Sequence, residues 1–334
     1  MMTIRMRSQD TPASRRLLLG LTALMVSLGV GACEGSHDPA TSTPGRITVG
    51  IVPVADAAPL YVGLRKGFFA EENLDVEPRV MPSGSVIAAS VVSGELQFGF
   101  SNTTALVIGR SRGLPVRIVS YAALGGSNEA EGASPHILVR SDGSIESLED
   151  LEGKTVSVNA IQTDPAHLTL TASLDEQGVD HSKVKFVEIP FPAAVPALED
   201  GRVDAITVAE PFATLGREAG HRTLIRPVID VAPDFIVAAY FTTEEFIQRD
   251  PEVVDRFVRA MTRSLNHAAR HPDDVREAIG SYTEIPPEII AKMTFPDFSR
   301  PADLSTLQLN IDLAERYGFI EERPRLSDLL LASE

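Results

Sequence analysis

The chain has 334 residues, of which 43% are hydrophobic, 6% are aromatic and none is Trp, and it carries a net charge of −16. That length accommodates two domains of ordinary size around aliphatic cores. The acidity excludes a nucleic-acid surface, which needs a basic footprint.

In chain order, Arg5, Arg7, Arg15 and Arg16 against Asp10 make the first 32 residues positive, so the remainder is more acidic still. Arg15 and Arg16 precede "LLLGLTALMVSLGVGA", an apolar run shorter than the roughly 20 residues of a membrane-spanning helix. A charged flank, an apolar middle and small residues before the break predict a secretory signal over residues 1–32. "VGAC", ending at Cys33, resembles a bacterial lipobox, and Cys33 is the only cysteine in the chain. The expectation is export, with a lipid on Cys33 holding the protein at the outer face of the cell membrane or in the periplasm. "SRRLLL" loosely resembles a twin-arginine signal, so the export route stays open between the two. Residues 33–45 are polar and rich in Pro, Gly, Ser and Thr, the composition of a tether.

From Arg46 short apolar runs alternate with helical patterns, which predicts an α/β body with mostly parallel sheets. Val49, Ile51 and Val52 read as a strand, and Leu60, Leu64 and Phe68 as one face of the helix after it. "GSVIAASVVSG", "LQFGFSN", "TTALVIGRSRG" and "LPVRIVSYAAL" continue the alternation. It restarts near "PHILVR" and runs on to "VDAITVAEPF", so two similar lobes are expected. Past Phe235 the chain reads as strongly helical, with Pro251 at a helix start and Gly318 at a helix end.

Nucleotide and catalytic signatures such as GxGxxG, GxSxG, HExxH and CxxC are missing from the sequence. His267 and His271 have the i, i+4 spacing of a metal pair, but no third ligand follows by sequence, so no metal and no cofactor are expected. Five loops carry more information: "VADAAP" (54–59), "PSGS" (82–85), "SNTT" (101–104), "NAIQTDP" (159–165) and "AEPF" (209–212). Each ends a predicted strand and offers small hydroxyl, amide or carboxyl side chains. Singly these are the usual helix N-caps. As a series they match the crevice outside the carboxyl ends of an open sheet, where ligands bind.

"GIVPVADAAPLYVGLRKGFFAEENLDVE", "SGELQFGFSNTTAL", "SLEDLEGKTVSVNA", "PALEDGRVDAITVAEPF" and "AAYFTTEEF" together resemble the substrate-binding proteins of ABC importers. Within these they resemble the group that binds nitrate, taurine and alkanesulfonates, and thiamine-pyrimidine precursors. The resemblance implies a type II periplasmic-binding-protein fold, with lobe one over 46–138 plus 236–334, including a helical tail, and lobe two over 139–235. It implies a monomer that captures a small polar or anionic solute, with a taurine-like alkanesulfonate favoured, and delivers it to a permease and ATPase complex. By motif it carries ligand contacts to Asp56, Ser83, Gly84, Ser85, Ser101, Asn102 and Thr103 in lobe one. In lobe two it carries them to Asn159, Gln162, Thr163 and Glu210, with Phe212 and, from the returning chain, Tyr240 as wall residues. Glu210 is either a partner for a ligand donor or the cap of the helix that follows it. Pyrimidine-precursor, nitrate, flavin-like and aromatic-acid ligands are alternatives. The reading of another class is a pyrimidine-phosphate-synthase-like enzyme, whose fungal members carry a cysteine-rich motif that is missing here.

Overall fold

The computed structural model describes residues 45–125, 135–298 and 302–331; the expected signal, Cys33 and almost all of the tether lie outside them. The chain begins with β1 (Gly45–Ile51), α1 (Ala58–Arg65), α2 (Phe68–Glu71), β2 (Leu74–Val80) and α3 (Gly84–Val92). β3 (Phe98–Asn102), α4 (Thr103–Ser111) and β4 (Val116–Leu124) follow. It then crosses to β5 (His136–Val139), β6 (Thr155–Val158), α5 (Pro165–Glu176), β7 (Lys185–Glu188) and α6 (Phe191–Glu199). The crossing part closes with β8 (Ala205–Val208), α7 (Phe212–Glu218), β9 (Arg222–Ile225) and α8 (Pro227–Val231). It returns as β10 (Ile236–Thr243), α9 (Glu244–Arg249), α10 (Pro251–Ala268), α11 (Pro272–Tyr282), α12 (Pro287–Ile290) and α13 (Leu304–Arg316).

Two five-stranded mixed sheets result, ordered β2-β1-β3-β10-β4 and β7-β6-β8-β5-β9. β1, β2 and β3 run parallel, as do β6, β7 and β8. One strand in each sheet opposes its neighbours, β10 in the first and β5 in the second. Both are the strands by which the chain enters from the other sheet. The parallel strands end at the cleft, so a strand that starts there must run the opposite way.

Three expectations change. The apolar face of the first helix does not continue to Phe68. α1 gives way to Gly67 in the left-handed region at φ 78°, and the phase resets so that Phe69, 1% exposed, enters the core instead. Residues 236–243 are a strand before the helical tail begins. All eight are buried, because β10 lies between β3 and β4, and an unbroken apolar run is what such a strand needs. The second sheet takes in His136 to Leu138, which sequence places with the first lobe. The tail is also shared. Phe257 of α10 stacks on Phe98 of the first sheet at 3.9 Å, while Val275, Ile279 and Ile290 share a core with Leu138, Ile206 and Phe212.

Candidate functional site

All five singled-out loops follow carboxyl ends of parallel strands, β1, β2, β3, β6 and β8. A cavity of about 50 Å³ between the sheets receives residues from every one of them. Val54 and Asp56 come from the first loop, Gly84 from the second, Asn102 from the third, Asn159, Asp164 and Pro165 from the fourth, and Ala209 from the fifth. Val52, Phe100, Pro135, Phe191, Val237 and Ala238 complete a mostly apolar wall. Two larger hollows, of about 560 and 630 Å³, gather at most one of those loops: the first follows the outer side of β4, the second lies beside Gln162.

Two hydrogen bonds join the halves at this cavity. The Ala55 N–H donates to the Glu210 carbonyl at 2.8 Å, and Asn159 Nδ2 donates to the Pro82 carbonyl at 3.4 Å. Gly84 opens α3 directly against Ser101; a Cβ there would lie 2.0 Å from Ser101 Oγ, so only glycine allows this approach. Asn102 caps α4 by accepting the Ala105 N–H at 2.7 Å.

Other expected residues are turned away from the cavity. The Ser83 and Ser85 hydroxyls bond each other at 3.0 Å, and Ser85 is exposed. Thr103 donates to the Ile236 carbonyl and accepts from Asn310 Nδ2 at 3.1 Å, which ties α4 to β10 and α13. Gln162 holds φ 62°, gives its N–H to His167 Nδ1 at 3.0 Å and is exposed beside the outer hollow, while Thr163 is buried in the same turn. Phe212 stacks on the cavity residue Phe191 at 6.1 Å, and Tyr240 is wholly buried behind Phe100.

Glu210 is fully engaged within α7. Its Oε2 accepts the Thr214 N–H at 3.0 Å, and its Oε1 accepts the Thr214 hydroxyl at 2.8 Å and Arg217 Nη2 at 3.1 Å. The arrangement is that of a cap reinforced by an ion pair. Its carboxylate does not line the cavity.

Asp164 was not among the expected contacts. It caps α5, accepting the Ala166 and Asn159 N–H groups at 2.8 Å each, and burial raises its pKa. The Asp-Pro pair that marks a helix start was visible in the sequence, but a cap can also face a cavity. Phe191 follows β7 and could have been found by the same strand-end rule.

The two carboxylates differ in what surrounds them. Asp56 sits in the short turn Ala55–Ala57, is 5% exposed, and its Oδ1 has no hydrogen-bond partner among the described residues. Burial pushes its pKa up to about 7; its own backbone N–H opposes the shift and the Glu210 charge adds to it. Among the described residues no Lys, Arg or His lines the cavity. His267 and His271 stack at 3.8 Å, with His267 Nε2 bonded to Asp274 at 2.6 Å. Among the described residues no group of three or more His, Cys, Asp or Glu could hold a metal ion.

Residues 54–275 match the family described as NMT1/THI5 like. The formylaminopyrimidine-binding protein of Halalkalibacterium halodurans is 24% identical over 261 residues, covering 76% of each chain. The taurine-binding periplasmic protein of Escherichia coli is 26% identical over 228 residues, covering 68% of each. Among solved structures, the alkanesulfonate-binding protein SsuA of Xanthomonas axonopodis superposes with a TM-score of 0.73 at 14% identity, covering 87% of this chain and 100% of that one. At that identity the likeness speaks for the fold, two mixed α/β sheets of the periplasmic-binding-protein kind. The family match runs over most of the two-sheet body and takes in all five loops of the cavity, so the chain belongs to the NMT1/THI5-like family.

Proposed function

We propose that this protein is the extracytoplasmic solute-binding component of an ABC importer, capturing one small polar molecule between its two sheets and handing it to a permease and ATPase. The observation that carries the reading is the division of the cavity wall. Asp56, Gly84 and Asn102 come from the first half, Asn159, Asp164 and Ala209 from the second, so neither half holds a complete site. Relatives that bind taurine and formylaminopyrimidine support the same class.

A cavity of about 50 Å³ holds only a few waters. A solute of taurine size therefore requires the halves to part and close again, in the manner of hinged domains. We take the first lobe as 46–135 with 236–334 and the second as 136–235, the boundary moving from 138 because β5 pairs within the second sheet. Export and a lipid on Cys33 would place the cleft outside the cell membrane. Cys33→Ser should then leave the protein soluble or unprocessed in cell fractions.

A thermal-shift screen tests the function. Taurine, short alkanesulfonates, formylaminopyrimidine, nitrate, riboflavin and aromatic acids are the compounds to use. At least one should raise the melting temperature in a saturable way, with micromolar affinity by calorimetry, and no response to any of them would overturn the reading for these classes. The relatives also include 4-amino-5-hydroxymethyl-2-methylpyrimidine phosphate synthases. That enzymatic reading has less support, because the cysteine-rich motif of the fungal enzymes has no counterpart in a chain whose only cysteine is Cys33.

A further inference from the structure

The cavity wall has a marked imbalance of charge. Two acidic residues line it, Asp56 and Asp164, and no cationic residue does so among the described residues. Asp164 is satisfied by the two N–H groups it caps. Asp56 is not, since its Oδ1 is buried and without a partner among the described residues. The titratable groups around it add no positive charge. They are Glu210 before α7, Tyr240 of β10 and Tyr282 of α11, with Tyr61 of α1 stacked on Tyr282 at 4.3 Å. Glu210 is already paired with Arg217. A buried acceptor with no donor is costly to the free protein, and a wall without cations gives a bare anion no counter-charge.

We propose that Asp56 selects the solute: its free carboxylate oxygen receives an N–H group that carries, or can take up, positive charge, as an ammonium or an amidine-like aminopyrimidine nitrogen does. This rests on the solute-capture reading and narrows it. Taurine-like zwitterions and aminopyrimidines fit the site, and nitrate or a simple sulfonate does not. The donor supplies what the folded chain lacks at Asp56, and the closing of the cleft then buries a neutral pair in place of a lone charge.

The test uses full-length protein and matched pairs of probes: taurine against ethanesulfonate, and formylaminopyrimidine against its desamino counterpart. Calorimetry should show the nitrogen-bearing member of a pair bound at least tenfold more tightly. Asp56→Asn should abolish that preference. For taurine, affinity should fall about tenfold for each pH unit below about 7, as Asp56 takes up the proton that binding must expel. The ligand-free variant gives an independent readout that also reports folding. Asp56→Asn should melt higher than the wild type at pH 8 and lose that advantage toward pH 4, because the lone charge is then neutralised in both.

Equal or tighter binding of ethanesulfonate, or a nitrogen preference that survives in Asp56→Asn, would overturn the assignment of Asp56 while leaving solute capture intact. A variant that melts lower than the wild type at pH 8 would also overturn it, by making Asp56 a structural residue. Failure of every probe to bind the wild type would overturn the capture reading for these solutes, and the assignment with it.

Discussion

Gly84→Ala is the sharpest test of how the cleft wall is built. A Cβ on Gly84 would meet Ser101 Oγ at 2.0 Å, Ser101 Cβ at 2.9 Å and Ser101 Cα at 3.3 Å. The hydroxyl has no partner among the described residues and can rotate aside, but that leaves the second and third contacts. Ser101 cannot retreat, because β3 pairs it with Ala239 of β10. α3 would have to lift, and Ile87 would leave its seat over Gly50 and Gly99. Overpacking of this kind costs about 1–3 kcal/mol. In a body of this size each kcal/mol lowers the melting temperature by roughly 2–4 °C. Urea denaturation and calorimetry should both register the loss, and solute affinity should fall with it because Gly84 lines the cavity. Ser101→Gly removes the Oγ and the Cβ, so the double variant should recover about 1–2 kcal/mol relative to the sum of the single changes. A Gly84→Ala protein within about 0.5 kcal/mol of wild type, or strict additivity in the cycle, would refute the packing argument.

Glu210→Gln should lower stability by about 1–3 kcal/mol through the weakened bond to Arg217 and leave solute affinity within about twofold, as denaturation and calorimetry would show. His167 is held neutral by burial, with its pKa lowered to about 4, so its contribution is lost as pH falls from about 6.5 toward 4. His167→Gln should flatten that acid limb in urea titrations; an unchanged limb would exclude His167 as its source. Asp175 of α5 accepts from Arg316 Nη2 at 2.9 Å and from the Tyr317 hydroxyl at 3.0 Å, which clasps the end of α13 to the second half of the protein. Asp175→Asn should speed solute release by no more than about fivefold, since an exposed pair is worth at most about 1 kcal/mol, and stopped-flow dissociation measures it.

Much of the site was legible because it is local. A strand that empties into a capped helix is written in consecutive residues, as in Phe98 to Ala105, and such loops gather at one edge of a parallel sheet. Glu210, Thr214 and Arg217 stand at i, i+4 and i+7, so one face of α7 holds the partners that occupy the carboxylate; that spacing was a signal open to a sequence reader. Phe68 shows a limit of periodicity, since one left-handed residue at Gly67 shifted the helical phase and put Phe69 inside. β10 shows another, because an unbroken apolar run becomes a central strand only when two neighbours close over it.

The sequence by itself determined the α/β class, the strand-end loops and the residue types they present, since these follow from short-range pattern and capping chemistry. Only the tertiary structure decided which carboxylate keeps an oxygen without a partner among the described residues. Glu210 meets its donors within one helix, whereas the groups around Asp56 arrive from α1, the turn before α7, β10 and α11. Their joint failure to supply a donor or a positive charge is a property of long-range packing, which no local pattern encodes.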